Sequence, residues 1–232
     1  MIYNQQLNHL IKFQANNALL EALFDPHVLS TIPWENPNED ELGNYVVNNT
    51  DLPDLGEGSS RNVFELDDGD RVLKVAKNPQ GLAQNEAEID VFTNPKVKAW
   101  TTEIFDYDKD FKWIISEKVT ELKTNQEWEE LVGFPFEILE YMIDMEFENL
   151  ERLADYLQER FDNSGDPDLL ELKSHVLSSL VQQWYNKFLY FVRITKLAPQ
   201  DLAVVDHWGF TQDGRVVLLD YGLTTKVQYD HY

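Results

Sequence analysis

The sequence predicts an α+β chain, β-rich in its first half and mostly helical in its second. Two observations carry this. Val63-Phe64-Glu65-Leu66 and Arg71-Val72-Leu73-Lys74-Val75 are β-favouring runs on either side of Asp67-Asp68-Gly69-Asp70, the pattern of strand, tight turn and strand. Leu169, Leu172, Val176, Leu177, Leu180, Trp184, Phe188, Phe191 and Val192 keep helical spacing for over twenty residues.

In chain order, residues 3–24 read as an amphipathic helix, with Leu7, Leu10, Ile11, Phe13, Leu19, Leu20, Leu23 and Phe24 on one face and Asp25-Pro26 as its stop. Residues 32–54, with Pro33, Pro37, Pro53 and several acids, read as an irregular connection. Residues 50–120 are expected to be β-rich with one helix, including strands over Thr101–Tyr107 and Phe111–Ser116 around the turn Asp108-Lys109-Asp110. Residues 124–163 read as mostly helical. Thr124 and Glu127 there have the spacing of a capping box, for a short helix that contains Trp128 and ends near Gly133. Asp166-Pro167 is expected to open the longest helix, with Asp as cap and Pro in its first turn. Near the C-terminus, Trp208–Thr211 and Val216–Leu219 read as a strand pair joined by Gln212-Asp213-Gly214-Arg215. No internal repeat interrupts this plan.

Composition bounds function. The 232 residues suit a chain with a substantial core, and 43% hydrophobic with 12% aromatic residues argue against disorder. With no cysteine there is no disulfide or thiolate metal site, which fits a reducing compartment. Met1-Ile2-Tyr3-Asn4-Gln5-Gln6 lacks the charged and apolar regions of a signal peptide. No apolar run approaches the roughly 18 residues of a membrane span. A cytoplasmic protein without a membrane partner is therefore expected. The balance of 19 basic against 42 acidic residues, formally −23, repels phosphate backbones and anionic lipid, so direct nucleic-acid binding is not expected. That acidity reads either as a solvated surface or as a docking face for a basic protein partner.

The chemistry lies in two widely separated motifs. Asp201-Leu202-Ala203-Val204-Val205-Asp206 places two carboxylates five apart, and Leu218-Leu219-Asp220-Tyr221-Gly222 puts a third fourteen residues beyond Asp206. This spacing suits phosphoryl transfer, where one carboxylate orients a hydroxyl and the other two positions hold Mg²⁺ against a nucleotide. Far upstream, Gly56-Glu57-Gly58-Ser59-Ser60-Arg61 is followed eighteen residues after Gly56 by Lys74. A dinucleotide-binding loop or a Walker loop would open a helix, whereas this one runs into the hairpin. Leu73 and Val75 share one face of their strand, which puts Lys74 on the other. In the segment from Gly81 to Phe92, Glu88 borders the apolar residues Ile89, Val91 and Phe92, whereas Glu86 has Asp90 four residues on and should face solvent.

Taken in order over residues 50–225, these motifs resemble the protein-kinase-like superfamily, in a small, divergent form closer to the aminoglycoside-phosphotransferase-like branch than to regulatory protein kinases. The resemblance implies a bilobal kinase-like fold: a helical extension over 1–50, a β-rich N-lobe over 51–120, and a reduced, mostly helical C-lobe over 121–232. It implies ATP and Mg²⁺ as cofactors and assigns roles by position. Gly56, Gly58, Ser59 and Ser60 cover the phosphates, Lys74 pairs with the α/β-phosphates, and Glu88 fixes Lys74. Glu117 and Val119, on either side of Lys118, match the adenine-binding hinge. Asp201 matches the catalytic base, while Asp206 and Asp220 match the metal ligands.

The chain also departs from the family. Arg61 replaces a third glycine and is expected to make the loop tip bulkier. Pro199-Gln200 stands where His-Arg is usual, and Asp206 stands for asparagine. Ten residues follow Gly222, without the segment that holds a peptide substrate, so a conventional protein kinase is not expected. The implied function is ATP- and Mg²⁺-dependent phosphoryl or nucleotidyl transfer. The alternative is a pseudokinase that acts as an acidic protein-binding or inhibitory module. His207, a lone histidine beside Trp208, is expected to be a packed structural residue.

Overall fold

The computed structural model describes residues 24–35, 39–146 and 149–231. The helix expected over 3–24 lies outside them apart from Phe24. The fold is α+β and divides into two compact units, Met1–Asn85 with Ile104–Lys118 and Glu86–Glu103 with Val119–Tyr232. A β-rich unit followed by a mostly helical one is consistent with the kinase-like fold that the motifs imply.

The first unit is built on an antiparallel sheet of β1 (Asp54–Glu57), β2 (Arg61–Glu65), β3 (Arg71–Ala76), β4 (Ile104–Tyr107) and β5 (Trp113–Glu117), in the order β1-β2-β3-β5-β4. The β2–β3 turn closes through Gly69, whose positive φ of 75° any side chain would strain. Register aligns Phe64 with Leu73 and Ile115 on one face, and Val63 with Lys74 and Ile114 on the other. Phe64, Leu73 and Ile115 pack with Val75, Trp113, Leu29, Leu42 and Val46 into one core. Lys74 therefore stands on the opposite face of β3, the side expected from its neighbours.

Two helices cover the core face. In α1 (His27–Thr31), the Ser30 hydroxyl accepts from the Trp113 indole at 3.1 Å. The helix α2 (Glu41–Asn49) corrects the irregular connection expected over 32–54. Asp40 caps it by accepting from Gly43 N at 3.0 Å, and Leu42 and Val46, four apart, are fully buried. Pro33 and Pro53 lie outside the helix and do not break it, and Pro37 lies outside the described residues. The second Asp40 oxygen accepts from Asn62 on β2, so one carboxylate ties α2 to the sheet.

Helix α3 (Pro79–Phe92) continues from the first unit into the second. There follow β6 (Thr120–Glu121), α4 (Asn125–Val132), α5 (Glu137–Asp144), α6 (Leu150–Ser164), α7 (Asp168–Val176), α8 (Ser179–Thr195), α9 (Pro199–Leu202), the 3-10 turn Val205–His207, β7 (Trp208–Phe210), β8 (Val216–Leu218) and α10 (Thr225–His231). The capping box of α4 forms as expected, and Gly133 ends that helix in the left-handed conformation. The helix expected to open at Asp166-Pro167 is instead two. Ser178 is extended, its hydroxyl accepts from Val181 N at 3.3 Å, and α8 restarts there as the longest helix of the described residues. A cap in mid-run thus overrides continuous apolar spacing.

Trp128 anchors the core of this unit, with edge contacts to Phe134, Phe136, Trp184 and Trp208 at centroid separations of 5.0–6.0 Å. The expected β7–β8 pair forms, and β6 adds a third strand, in the order β6-β7-β8. Among the described residues, no helix is long and apolar enough to cross a membrane.

Candidate functional site

The second unit brings Asp201, Asp206 and Asp220 to its three-stranded sheet. Asp201 lies on α9, whose first turn is held by hydrogen bonds from Asp201 N to Ala198 O (3.1 Å) and from Ala198 N to Leu223 O (3.0 Å). The fully buried Trp208 donates its indole N–H to Leu202 O at 3.1 Å, locking the end of α9 to β7. His207 Nδ1 meets Asp201 O at 2.9 Å, and because a carbonyl only accepts, Nδ1 carries the proton.

Leu219 N donates to His207 O at 2.9 Å, so Asp206 and Asp220 each sit one residue from the same interstrand hydrogen bond. Behind Asp220, the buried Tyr221 donates its hydroxyl to Thr102 O at 3.1 Å, which fixes the chain that carries the carboxylate. Asp206 is exposed, whereas Asp201 and Asp220 are half-buried.

Burial raises the Asp201 pKa above its ordinary value. His207 opposes that shift and the Asp220 charge adds to it. The unfolded chain therefore releases this proton first. The stabilising contribution of Asp201 is complete below 3.8 and falls as pH rises through the elevated folded value. Asp201→Asn should flatten this part of the pH–stability curve, measured as melting temperature between about pH 3.5 and 7.

Among the described residues, no group of three or more His, Asp and Glu side chains is gathered as a ready metal site. Asp206 and Asp220 would offer two carboxylates, the kind of donor Mg²⁺ takes with its remaining places filled by water and substrate phosphate.

The first unit holds the glycine loop and Lys74. Gly58 N donates to Arg61 O at 2.9 Å, closing the turn between β1 and β2. The carbonyls of Gly58, Ser59 and Ser60 accept from Lys77 Nζ (3.3 Å), Asn78 Nδ2 (3.0 Å) and Lys77 N (2.8 Å). Since a trans peptide sets each carbonyl opposite the next N–H, the N–H groups of Ser59 and Ser60 are directed away from Lys77 and Asn78. A Cβ on Gly56 would meet nothing within 4 Å, which leaves room for a ligand beside the loop.

Two side chains in this loop are committed inward. The Ser60 hydroxyl is buried and donates to Gln84 at 2.6 Å, so Ser60 serves the loop through its backbone. The Arg61 side chain was expected to bulk the loop tip, yet it is buried and its guanidinium donates to Asn85 at 3.1 Å. Lys74 is buried on β3. On α3, Glu88 is fully buried and Glu86 exposed, the orientation their neighbours predict. Gly56, Gly58, Ser59, Ser60, Lys74 and Glu117 belong to the first unit, and Glu88, Val119, Asp201, Asp206 and Asp220 to the second.

Sequence reasoning missed Gln84 and Asn85 as anchors of the loop. Those anchors join residues 24 apart in the chain. Also missed was the bond of His207 to Asp201 O, only six residues back, which depends on the turn at the end of α9 and not on a spacing rule.

No known protein-family model matches this chain, and no curated protein sequence does. Among solved structures, the chain is similar to the streptomycin-ATP-APH(2″)-IIa ternary complex at 14% identity and a TM-score of 0.36, over 75% of this chain. It spans 66% of the length of that structure's chain.

Proposed function

We propose that the chain is a kinase-like phosphotransferase that uses ATP and Mg²⁺. The observation that carries this reading is that Asp206 and Asp220, fourteen residues apart on either side of β7 and β8, flank the Leu219–His207 hydrogen bond, while Asp201 is tied to the same His207 through its carbonyl. In this reading the loop N–H groups and Lys74 bind phosphate oxygens, and Glu88 orients Lys74. Glu117 and Val119 flank the adenine, while Asp206 and Asp220 hold Mg²⁺. Asp201 takes the proton of the acceptor hydroxyl as that oxygen bonds to phosphorus and the bond to the leaving nucleotide breaks. The ion supplies positive charge to the phosphate oxygens.

Thermal unfolding with Mg²⁺ and ATP tests the reading. At about 100-fold excess over Kd, a ligand adds roughly 2.7 kcal/mol, which for a chain of this length raises the melting temperature by about 5–10 °C. The shift should require Mg²⁺ and be lost in Lys74→Ala and Asp220→Ala; no shift in the wild type would refute the proposal. A second reading, nucleotide binding without turnover, is favoured by Asp206, which adds a negative charge where the resemblance expects a neutral asparagine. A shift without transfer of label from ATP would select it. The formal charge of −23 further supports docking on a basic protein, which would weaken steeply with salt.

A further inference from the structure

The proposed site carries three carboxylates, and a polyphosphate would approach them against their charge. The three-stranded sheet brings a cation to the same end. Thr120 pairs with Phe210 and Glu121 with Gly209, and Leu122 N donates to Trp208 O at 2.8 Å. Lys123, one residue beyond Leu122, therefore lies at the end of β7 that is entered from the 3-10 turn Val205–His207, whose His207 O accepts from Leu219 N of the next strand. The strands run close here: a Cβ on Gly209 would lie 2.7 Å from Thr120 O. Lys123 N is held by the Glu127 carboxylate at 2.6 Å, and its ammonium pairs with Glu121. Asp206 is also among the acids whose charge acts on that ammonium.

We propose that Lys123 is a positioning residue that offsets the charge of Asp206, letting a carboxylate serve as a metal ligand without repelling the nucleotide phosphates. The inference rests on the phosphotransferase reading. It makes Lys123 act in opposite senses on the two ligands, since its charge opposes a bare divalent cation and favours an anionic nucleotide. Glu121 and Glu127 hold the lysine beside the strand end, so the effect follows its charge and not the shape of its stem.

The test is a charge series at Lys123, an exposed position where substitution should leave the fold intact. Mn²⁺ affinity, followed by electron paramagnetic resonance without nucleotide, is compared with Mg²⁺·ATP affinity by calorimetry at low salt. Lys123→Gln should bind Mn²⁺ about threefold more tightly and Mg²⁺·ATP about threefold more weakly, and Lys123→Glu should roughly square both factors. Lys123→Arg should match the wild type, and the differences should shrink in about 0.5 M salt. Equal affinities across the series, or both ligands moving in the same direction, would overturn the inference while leaving the phosphotransferase reading in place. A wild-type chain that binds neither ligand would sink that reading, and this inference with it, before any variant is made.

Discussion

Asp220→Ala and Asp201→Asn are each expected to lower phosphoryl transfer from ATP by at least about 10³-fold without unfolding the chain. Catalysis of this kind is positioning and charge stabilisation, so losing one carboxylate removes a whole contribution that no neighbour replaces. Asp220→Ala should also abolish the Mg²⁺-dependent thermal shift, because it takes away a metal ligand. Asp201→Asn should keep that shift, since the base is needed only when the acceptor hydroxyl loses its proton. Neither change removes core packing: both residues are half-buried, and the Asp220 carboxylate accepts from Gly222 N at 3.3 Å, a bond worth on the order of 1–2 kcal/mol. Asp213→Asn is the control. Asp213 lies on the β7–β8 turn, paired with Arg215, and has no part in the proposed chemistry. Its loss should leave transfer of γ-labelled phosphate unchanged. Turnover surviving in Asp201→Asn would remove Asp201 as the base.

Much of this arrangement is legible in the sequence because it depends on neighbours along the chain. The Asp67–Asp70 turn sets the β2–β3 register, and the alternation of Leu73, Lys74 and Val75 then puts Lys74 on the face away from the Phe64–Leu73–Ile115 row. Helical spacing likewise separates buried Glu88 from exposed Glu86. What stayed hidden is decided by partners far away. Helix α2 forms in a proline-bracketed acidic stretch because Leu42 and Val46 find the Phe64 core and Asp40 finds both Gly43 N and Asn62. Strand β6 is two residues long and exists only through its pairing with β7. Arg61 looks like an obstruction on the loop until Asn85 is seen to receive it. The break at Leu177–Ser178 is different in kind. Ser178 stands in plain view, but the apolar spacing runs unbroken across it and masks the local cap.

Gly81→Ala should destabilise the chain by about 2–3 kcal/mol, although helix propensity alone predicts the opposite sign. Gly81 lies in the first turn of α3, where alanine would be favoured by about 1 kcal/mol. A Cβ there would fall 2.2 Å from Ser60 O and 3.0 Å from Ala76 Cα. Both are backbone atoms, so relief requires moving either the glycine loop or the end of β3. Ser60 O accepts from Lys77 N at 2.8 Å, and the Ser60 hydroxyl from the same residue reaches Gln84 on α3. Pushing Ser60 away would therefore strain two bonds that hold the loop, and the steric cost exceeds the propensity gain. The expected fall in melting temperature is about 5–10 °C. Gly165→Ala calibrates it: that glycine has φ +69° but open space around its Cβ, so it should cost only about 1–2 kcal/mol of left-handed strain. A Gly81→Ala chain as stable as the wild type would mean that the loop does not pack against α3. The orientation of the Ser59 and Ser60 N–H groups would then have no fixed support. If the stability loss is found together with weaker Mg²⁺·ATP binding, the contact that sets the fold here also sets the phosphate-binding face of the loop.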